Sequence, residues 1–289
     1  MEMGGNSDAS SVFIKAFVAV GEFILPLFIV FLDIHALWYG WSFMIVAVIL
    51  LFNFFLLAGT KFPAQNSEQP AELEEQQPVS KARRIAATIA LSIYGYTTMA
   101  LMILFTQWIS LFATKELGYS GLAAHALLSL YSTGSITGGV LVIFTLLKFN
   151  VSKNKILVAM NVLSLLALLV VIHASVVWVT SLAAFIFGFS AAGGVLQVAL
   201  NLLLQMFPKH KGVITGLYFM FGSVAAFTIP LVTGMLSKIN LYAVMNFDVL
   251  VGALGGAALV IVTALLLETS KVASFLRQTV NRRLPTNIK

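Results

Sequence analysis

The chain has 289 residues, 60% of them hydrophobic and 10% charged, with a formal net charge of +6 and a mean hydropathy of +0.98. An average soluble domain carries roughly 25% charged residues, so this composition excludes a water-soluble globule. The chain has no cysteine, which excludes a disulfide framework, a thiolate metal site, a cysteine nucleophile and an iron–sulfur cluster.

A helix that crosses a bilayer needs about 20 mostly apolar residues. About eight segments meet that length, at 12–32, 39–58, 85–112, 123–147, 156–173, 176–206, 213–236 and 243–267. Backbone groups in lipid must be bonded internally, and runs such as 158–172 are too long for barrel strands of about ten alternating residues. The expected class is therefore all-α, a polytopic membrane helix bundle. The first apolar run follows Glu2 and Asp8 without a basic lead-in, and no small-residue cleavage site closes it. That pattern predicts a retained span rather than a cleaved signal.

The connecting segments sort by charge. Lys61, Lys81, Arg83, Arg84, Lys148, Lys153, Lys155, Lys209, Lys211 and the cations after Glu268 fall on one side, and only Lys115 and Lys238 on the other. Cytoplasmic loops collect Lys and Arg, so the first set is expected in the cytoplasm together with both termini. Lys15 snorkels from the entry of the first span. Topology accounts for the basic balance, and no nucleic-acid partner is expected.

Residues 59–84 hold Pro63, Pro70 and Pro78, Glu68, Glu72, Glu74 and Glu75, and several glutamines. This is the composition of a solvated, flexible linker. It separates a two-helix part at 1–58 from a six-helix bundle at 85–270, which a basic tail at 271–289 follows.

The two parts are related by an internal repeat. Placing Phe17 on Phe221 also places Val20, Phe23, Pro26, Leu27, Leu32, Leu37 and Phe43 on Val224, Phe227, Pro230, Leu231, Leu236, Leu241 and Phe247. The paired prolines carry the most weight, because a proline inside a helix costs roughly 3 kcal/mol unless its surroundings compensate. Four helices precede the proline helix in the second copy and none in the first. The repeat thus predicts a complete molecule of roughly 410 residues with six helices in each half, of which roughly 120 residues, about four spans, are missing here.

At this point the chain resembles the major facilitator superfamily of secondary transporters. The residues that carry the resemblance are Gly21-Glu-Phe-Ile-Leu-Pro26, Gly40-Trp41, Lys61-Phe62-Pro63 and Gly212-Val-Ile-Thr-Gly216 running on to Pro230 and Gly234. Gly139 through Lys148, Lys153 and Lys155 keeps the charges of the family's basic loop without its aspartate. The resemblance implies the last two helices of an N-terminal half, a central loop and a complete C-terminal half. It also implies a substrate cavity between the halves, two of whose four lining helices fall in the missing part.

Ionisable and amide side chains inside spans are costly and mark function by default. Glu22 lies about ten residues into the first segment, roughly 15 Å deep at 1.5 Å per residue, and is the candidate proton-coupling carboxylate. A glutamate bonded to a neighbouring helix is the alternative. Gln197, Asn201 and Gln205 recur at every fourth position of the sixth segment, forming one face that can bond a polar solute or hold helices together. The resemblance makes that segment a cavity-lining helix, along with the third segment and its Tyr94, Tyr96, Thr97, Gln107 and Trp108. In the fourth segment His125, Ser129 and Ser132 lie along one side, with Tyr131 as a further cavity candidate and His125 at the rim. Asp33, His35, His173 and Asp248 are expected at span ends. Four pairs of small residues four apart, Gly134 and Gly138, Ser190 and Gly194, Gly212 and Gly216, and Gly252 and Gly256, are expected where helices touch.

Competing classes find less support. Gly188-Phe-Ser190-Ala resembles a membrane serine hydrolase only loosely, and His125 and His173 lie nearer the outer face than Ser190, beyond the reach that a catalytic base needs. No zinc motif, paired intramembrane aspartate or channel filter is present, and no nucleotide-binding motif points to ATP. No metal or cofactor is expected. The sequence reads as a secondary transporter of a small polar or amphipathic solute, proton-coupled and multi-pass in the cell membrane. The alternative is a non-transporting membrane remnant or a structural eight-helix membrane protein.

Overall fold

The computed structural model describes residues 24, 28, 32, 35–60, 81–149, 151–207 and 210–283, with side chains as far as Leu265. Among them every regular element is helical, and seven helices are long and apolar enough to cross a membrane. The chain is an all-α polytopic membrane bundle. The first expected span and Glu22 within it lie almost wholly outside the described residues, so seven of the eight expected spans are described.

Packing divides the chain into two units, residues 20–78 and residues 1–19 with 79–289. In the smaller unit the described helix is α1, Gly40–Gly59. None of its residues is buried, and Phe43, Phe52 and Phe55 are among those it exposes. Such a surface suits hydrocarbon rather than water.

The larger unit contains α2 (Lys81–Lys115), α3 (Gly121–Lys148), α4 (Lys153–His173), α5 (Val177–Phe187), a π turn (Gly188–Ala192), α6 (Val195–Gln205), α7 (Lys211–Leu236) and α8 (Leu241–Arg283). The chain reverses at short connections whose residues suit them. Gly118 adopts φ +69 between α2 and α3, and the Ser120 hydroxyl accepts a bond from the Ala123 N–H at 3.3 Å to cap α3. Asn240 caps α8 in the same way, accepting from the Ala243 N–H at 2.6 Å. Lys81, Lys148, Lys153 and Lys211 all stand at helix ends, which gives the bundle one basic end.

Helix α2 is the hub, in contact with α3, α6, α7 and α8. Its Leu91, Leu104, Phe105, Ile109 and Phe112 are fully buried. Phe105 stacks on Phe187 of α5 at 4.4 Å between ring centres and on Tyr131 of α3 at 5.4 Å. Lipid tails are as apolar as leucine, so close packing rather than water exclusion holds helices together in a membrane. Glycine provides that closeness at two crossings. Where α3 meets α5 and the π turn, Gly134 lies on the backbone of Phe185, Gly138 on that of Phe189, and Gly188 on that of Tyr131. The Ser135 hydroxyl donates to the Ala192 carbonyl at 3.2 Å across the same crossing. Where α8 meets α2 and α4, Gly252 faces Leu165 and Leu101, Gly255 faces Thr97, and Gly256 faces Asn161.

Two expected small-residue pairs behave differently. Among the described residues nothing lies within 4 Å of a Cβ at Gly212 or Gly216, because α7 turns that face outward with Val213 beside it. Ser190 bonds within its own helix, to the Ile186 carbonyl at 2.7 Å, and Gly194 adopts φ +91. The sixth segment is consequently not one continuous helix. The π turn and Gly193-Gly194 split it, since a positive φ is readily available only to glycine. Pro230 sits inside an unbroken α7.

Asp248 is also displaced from its expected place at a span end. It is fully buried within α8, because the helix begins at Leu241 and presents Asp248 on the same side as Gly252.

Candidate functional site

Helix α6 follows directly from the break at Gly194, so the break sets the direction of its polar face. The Gln197 N–H donates to the Gly194 carbonyl at 3.1 Å, opening the first turn. Two anchors fix α6 against its neighbours. The Tyr218 hydroxyl of α7 donates to the Leu196 carbonyl at 3.1 Å while its ring lies on Gly95 of α2. At the basic end the Arg84 guanidinium lies over the Phe207 ring, 5.1 Å from its centre. Between these anchors α2 and α6 run antiparallel, which brings Ser92 of α2 to the height of Gln197 and Asn201.

The polar groups at that height are enclosed and unbonded. Asn201 is buried and Gln197 half-buried; the Asn201 Nδ2, the Gln197 Oε1 and the Ser92 Oγ have no hydrogen-bond partner among the described residues. Buried polar atoms are nearly always bonded to protein, water or a ligand. Three such atoms, Asn201 Nδ2, Gln197 Oε1 and Ser92 Oγ, lie at one height of the bundle. Gln205, next on the same face, is exposed.

The other expected residues are placed as follows. Tyr94 and Tyr131 are interior, Tyr131 within the aromatic stack with Phe105 and Phe187. Gln107 is exposed on α2, and the adjacent Trp108 is half-buried with its Nε1 enclosed and unpartnered among the described residues. Tyr96 bonds the Thr228 hydroxyl of α7 at 2.8 Å, and Thr97 is buried, donating to the Tyr94 carbonyl at 3.0 Å. Glu22 and Asp33 lie outside the described residues.

On α3 the exposed stripe is His125, Ser129, Thr133 and Thr137, whereas Ser132 is buried and donates to the Leu128 carbonyl at 3.1 Å. The Ser110 hydroxyl of α2 donates to the Ala124 carbonyl at 3.4 Å, which sets Gln107 and Ser129 at similar heights. Thr133 and Thr137 were readable from their spacing of four after His125 and Ser129. Ser92 gave no such signal, because its neighbours on α2 are apolar or small. No group of three or more His, Asp or Glu residues among those described could hold a metal ion.

The sequence of this helical chain matches a known family. The profile of the Major Facilitator Superfamily matches residues 8–230. The chain belongs to the major facilitator superfamily. Among curated proteins it is 35% identical to the inner membrane transport protein YdiM of Escherichia coli (strain K12), over 85% of this chain and 61% of YdiM. It is 32% identical to the uncharacterized MFS-type transporter YfkL of Bacillus subtilis (strain 168), over 87% of this chain and 64% of YfkL. The inner membrane transport protein YdiN of Escherichia coli (strain K12) is 28% identical, over 84% of this chain and 57% of YdiN. The chain thus spans about three fifths of the length of the curated superfamily relatives it matches.

Proposed function

We propose that this chain takes part in secondary active transport of a small polar or amphipathic solute, driven by a proton gradient. Residues 85–270 act as the six-helix C-terminal half, 1–58 as two helices of the N-terminal half, 59–84 as the linker and 271–289 as a basic tail. The basic end faces the cytoplasm with both termini, and the protein works in the cell membrane.

The observation that carries this reading is the enclosed, unbonded layer of Gln197, Asn201 and Ser92. Its groups are neutral donors and acceptors, so it suits hydroxyl, amide or zwitterionic solutes better than a bare ion. Gln107, Ser129, Thr133 and Thr137 give a wettable approach on α2 and α3, and Trp108 offers an indole N–H. Tyr94 supports the lining from behind, and Tyr131, stacked on Phe105 about 20 Å farther along α2, lies beside the approach. Glu22 is the proton-coupling carboxylate, able to carry charge only when its proton is off. The transporter names of the relatives favour the same reading.

The test is uptake into proteoliposomes after a pH jump, using solutes first selected by their effect on thermal unfolding. Gradient-driven uptake that Glu22→Gln abolishes supports proton coupling through Glu22. Uptake indifferent to both the gradient and the substitution rejects it. A protein that binds no solute and moves none is the non-transporting alternative.

A further inference from the structure

Asp248 stands apart from the solute layer. It is fully buried in α8, about 10 Å from Leu241 at 1.5 Å per residue, and neither Oδ1 nor Oδ2 has a partner among the described residues. Packing pairs fix its height. Tyr242 meets Phe112 edge-on at 5.1 Å between ring centres, and Gly255 lies on Thr97. Helices α8 and α2 are therefore antiparallel, and Asp248 falls level with Phe105. On the other flank Gly252 lies on Leu165 and Gly256 on Asn161, which sets Asp248 level with Leu169, beside Leu168. Phe105 and Leu168 are both fully buried.

Few charges face this point. Helix α2 presents Tyr94 near Gly255, about two turns away, and α4 carries no ionisable residue between Lys155 and His173. Tyr218 of α7 is turned toward Gly95 and Leu196, and Tyr242 of α8 toward Phe112. Among the described residues neither a cation nor a hydrogen-bond donor meets the carboxyl group, so holding it here as a charge is costly. An interrupted polar seam lies between α4 and α8 on its basic side, with about 10 Å of α4 between Asn161 and Asn154. The Ser164 hydroxyl donates to the Asn161 carbonyl at 2.8 Å, Asn161 Nδ2 donates to the Gly252 carbonyl at 3.4 Å, and Asn154 Nδ2 donates to the Thr263 hydroxyl at 2.6 Å. The Asn154 Oδ1 is enclosed without a partner among the described residues, an acceptor suited to a water at the mouth of the seam.

We propose that Asp248 is a proton-binding site in the α2–α4–α8 layer, about 20 Å along α2 from the solute layer, and that its proton exchanges toward the basic end through water entering the interrupted Ser164–Asn161–Asn154 seam. Release breaks the carboxyl O–H bond, hands the proton to a water in the seam and leaves a carboxylate; uptake is the reverse, and no other bond changes. The charge left behind needs water, so release loosens α8 from α2 and α4. The site is independent of Glu22 and of whether this chain transports anything.

The test is infrared difference spectroscopy on the purified full chain, with Glu22→Gln as background to remove the carboxyl expected in the first span. The expected result is a protonated-carboxyl C=O band at neutral pH that shifts in heavy water, fades as pH rises and is lost on adding Asp248→Asn. Absence of the band at neutral pH, or its survival in Asp248→Asn, overturns the proposal. A band indifferent to pH and to heavy water overturns it too, since Asp248 is then a static packing group. Should Asp248→Asn not fold, Asp248→Glu must move the band, and an unmoved band counts against the site.

Discussion

Gly188 packs directly on the main-chain carbonyl of Tyr131, so closely that any side chain at 188 would overlap it. A carbonyl cannot rotate aside as a side chain can, and Gly134 and Gly138 meet backbone in the same way at Phe185 and Phe189. Overpacking of this kind costs about 1–3 kcal/mol. Gly188→Ala, Gly134→Ala and Gly138→Ala should each lower the thermal unfolding temperature in detergent. Gly216→Ala has open space around it and should hold or raise that temperature, because alanine is favoured over glycine in a helix by about 1 kcal/mol. Equal effects at Gly216 and Gly188 would refute the assignment of the α3–α5 crossing.

Tyr96 and Thr228 join α2 to α7 through one bond of 2.8 Å between hydroxyls. Bonds between membrane helices average about 0.6 kcal/mol in double-mutant cycles. A cycle of Tyr96→Phe and Thr228→Val should give a coupling of that size, read from unfolding midpoints. A coupling indistinguishable from zero means that the two hydroxyls do not bond in the folded protein.

Much of the fold was legible because a span announces itself: twenty apolar residues between charged ends have few other outcomes. Lys81, Lys115, Lys148, Lys153 and Lys211 each begin or end a described helix. What stayed hidden depends on which side of a helix faces protein, and every side of these helices is apolar. Spacing alone therefore made Gly212 and Gly216 look like Gly252 and Gly256, though only the second pair has a neighbour. Asp248 looked interfacial because its distance from Leu241 is short, yet its face of α8 is the packed one. In the candidate site, the spacing of four revealed Gln197 and Asn201. The break that orients them was not legible, since Gly194 reads as the packing partner of Ser190 until φ +91 is seen at Gly194.

The absence of native cysteine makes single-cysteine labelling a clean test of orientation. Glu116 and Ser152 are both exposed and lie at opposite ends of α3. Positive-inside asymmetry predicts that an impermeant maleimide added to intact cells labels Glu116→Cys, while Ser152→Cys reacts only after the membrane is opened. The reverse pattern would invert the proposed topology.

The solute layer gives a prediction that separates binding from helix packing. Gln197 and Asn201 have enclosed atoms without partners among the described residues, so replacing either with leucine removes no described bond at those atoms. Leaving a buried polar group unbonded costs about 1–3 kcal/mol, and apolar replacement relieves that cost. Gln197→Leu and Asn201→Leu should therefore keep or raise the unfolding temperature while abolishing any stabilisation by an added solute. Gln205→Leu changes an exposed position and should leave the solute effect intact. Amides that instead hold helices together would show the opposite pattern: a loss of stability near 1–2 kcal/mol with the solute response retained. That outcome would remove the main support for a binding layer on α6 and return Gln197 and Asn201 to a purely structural role.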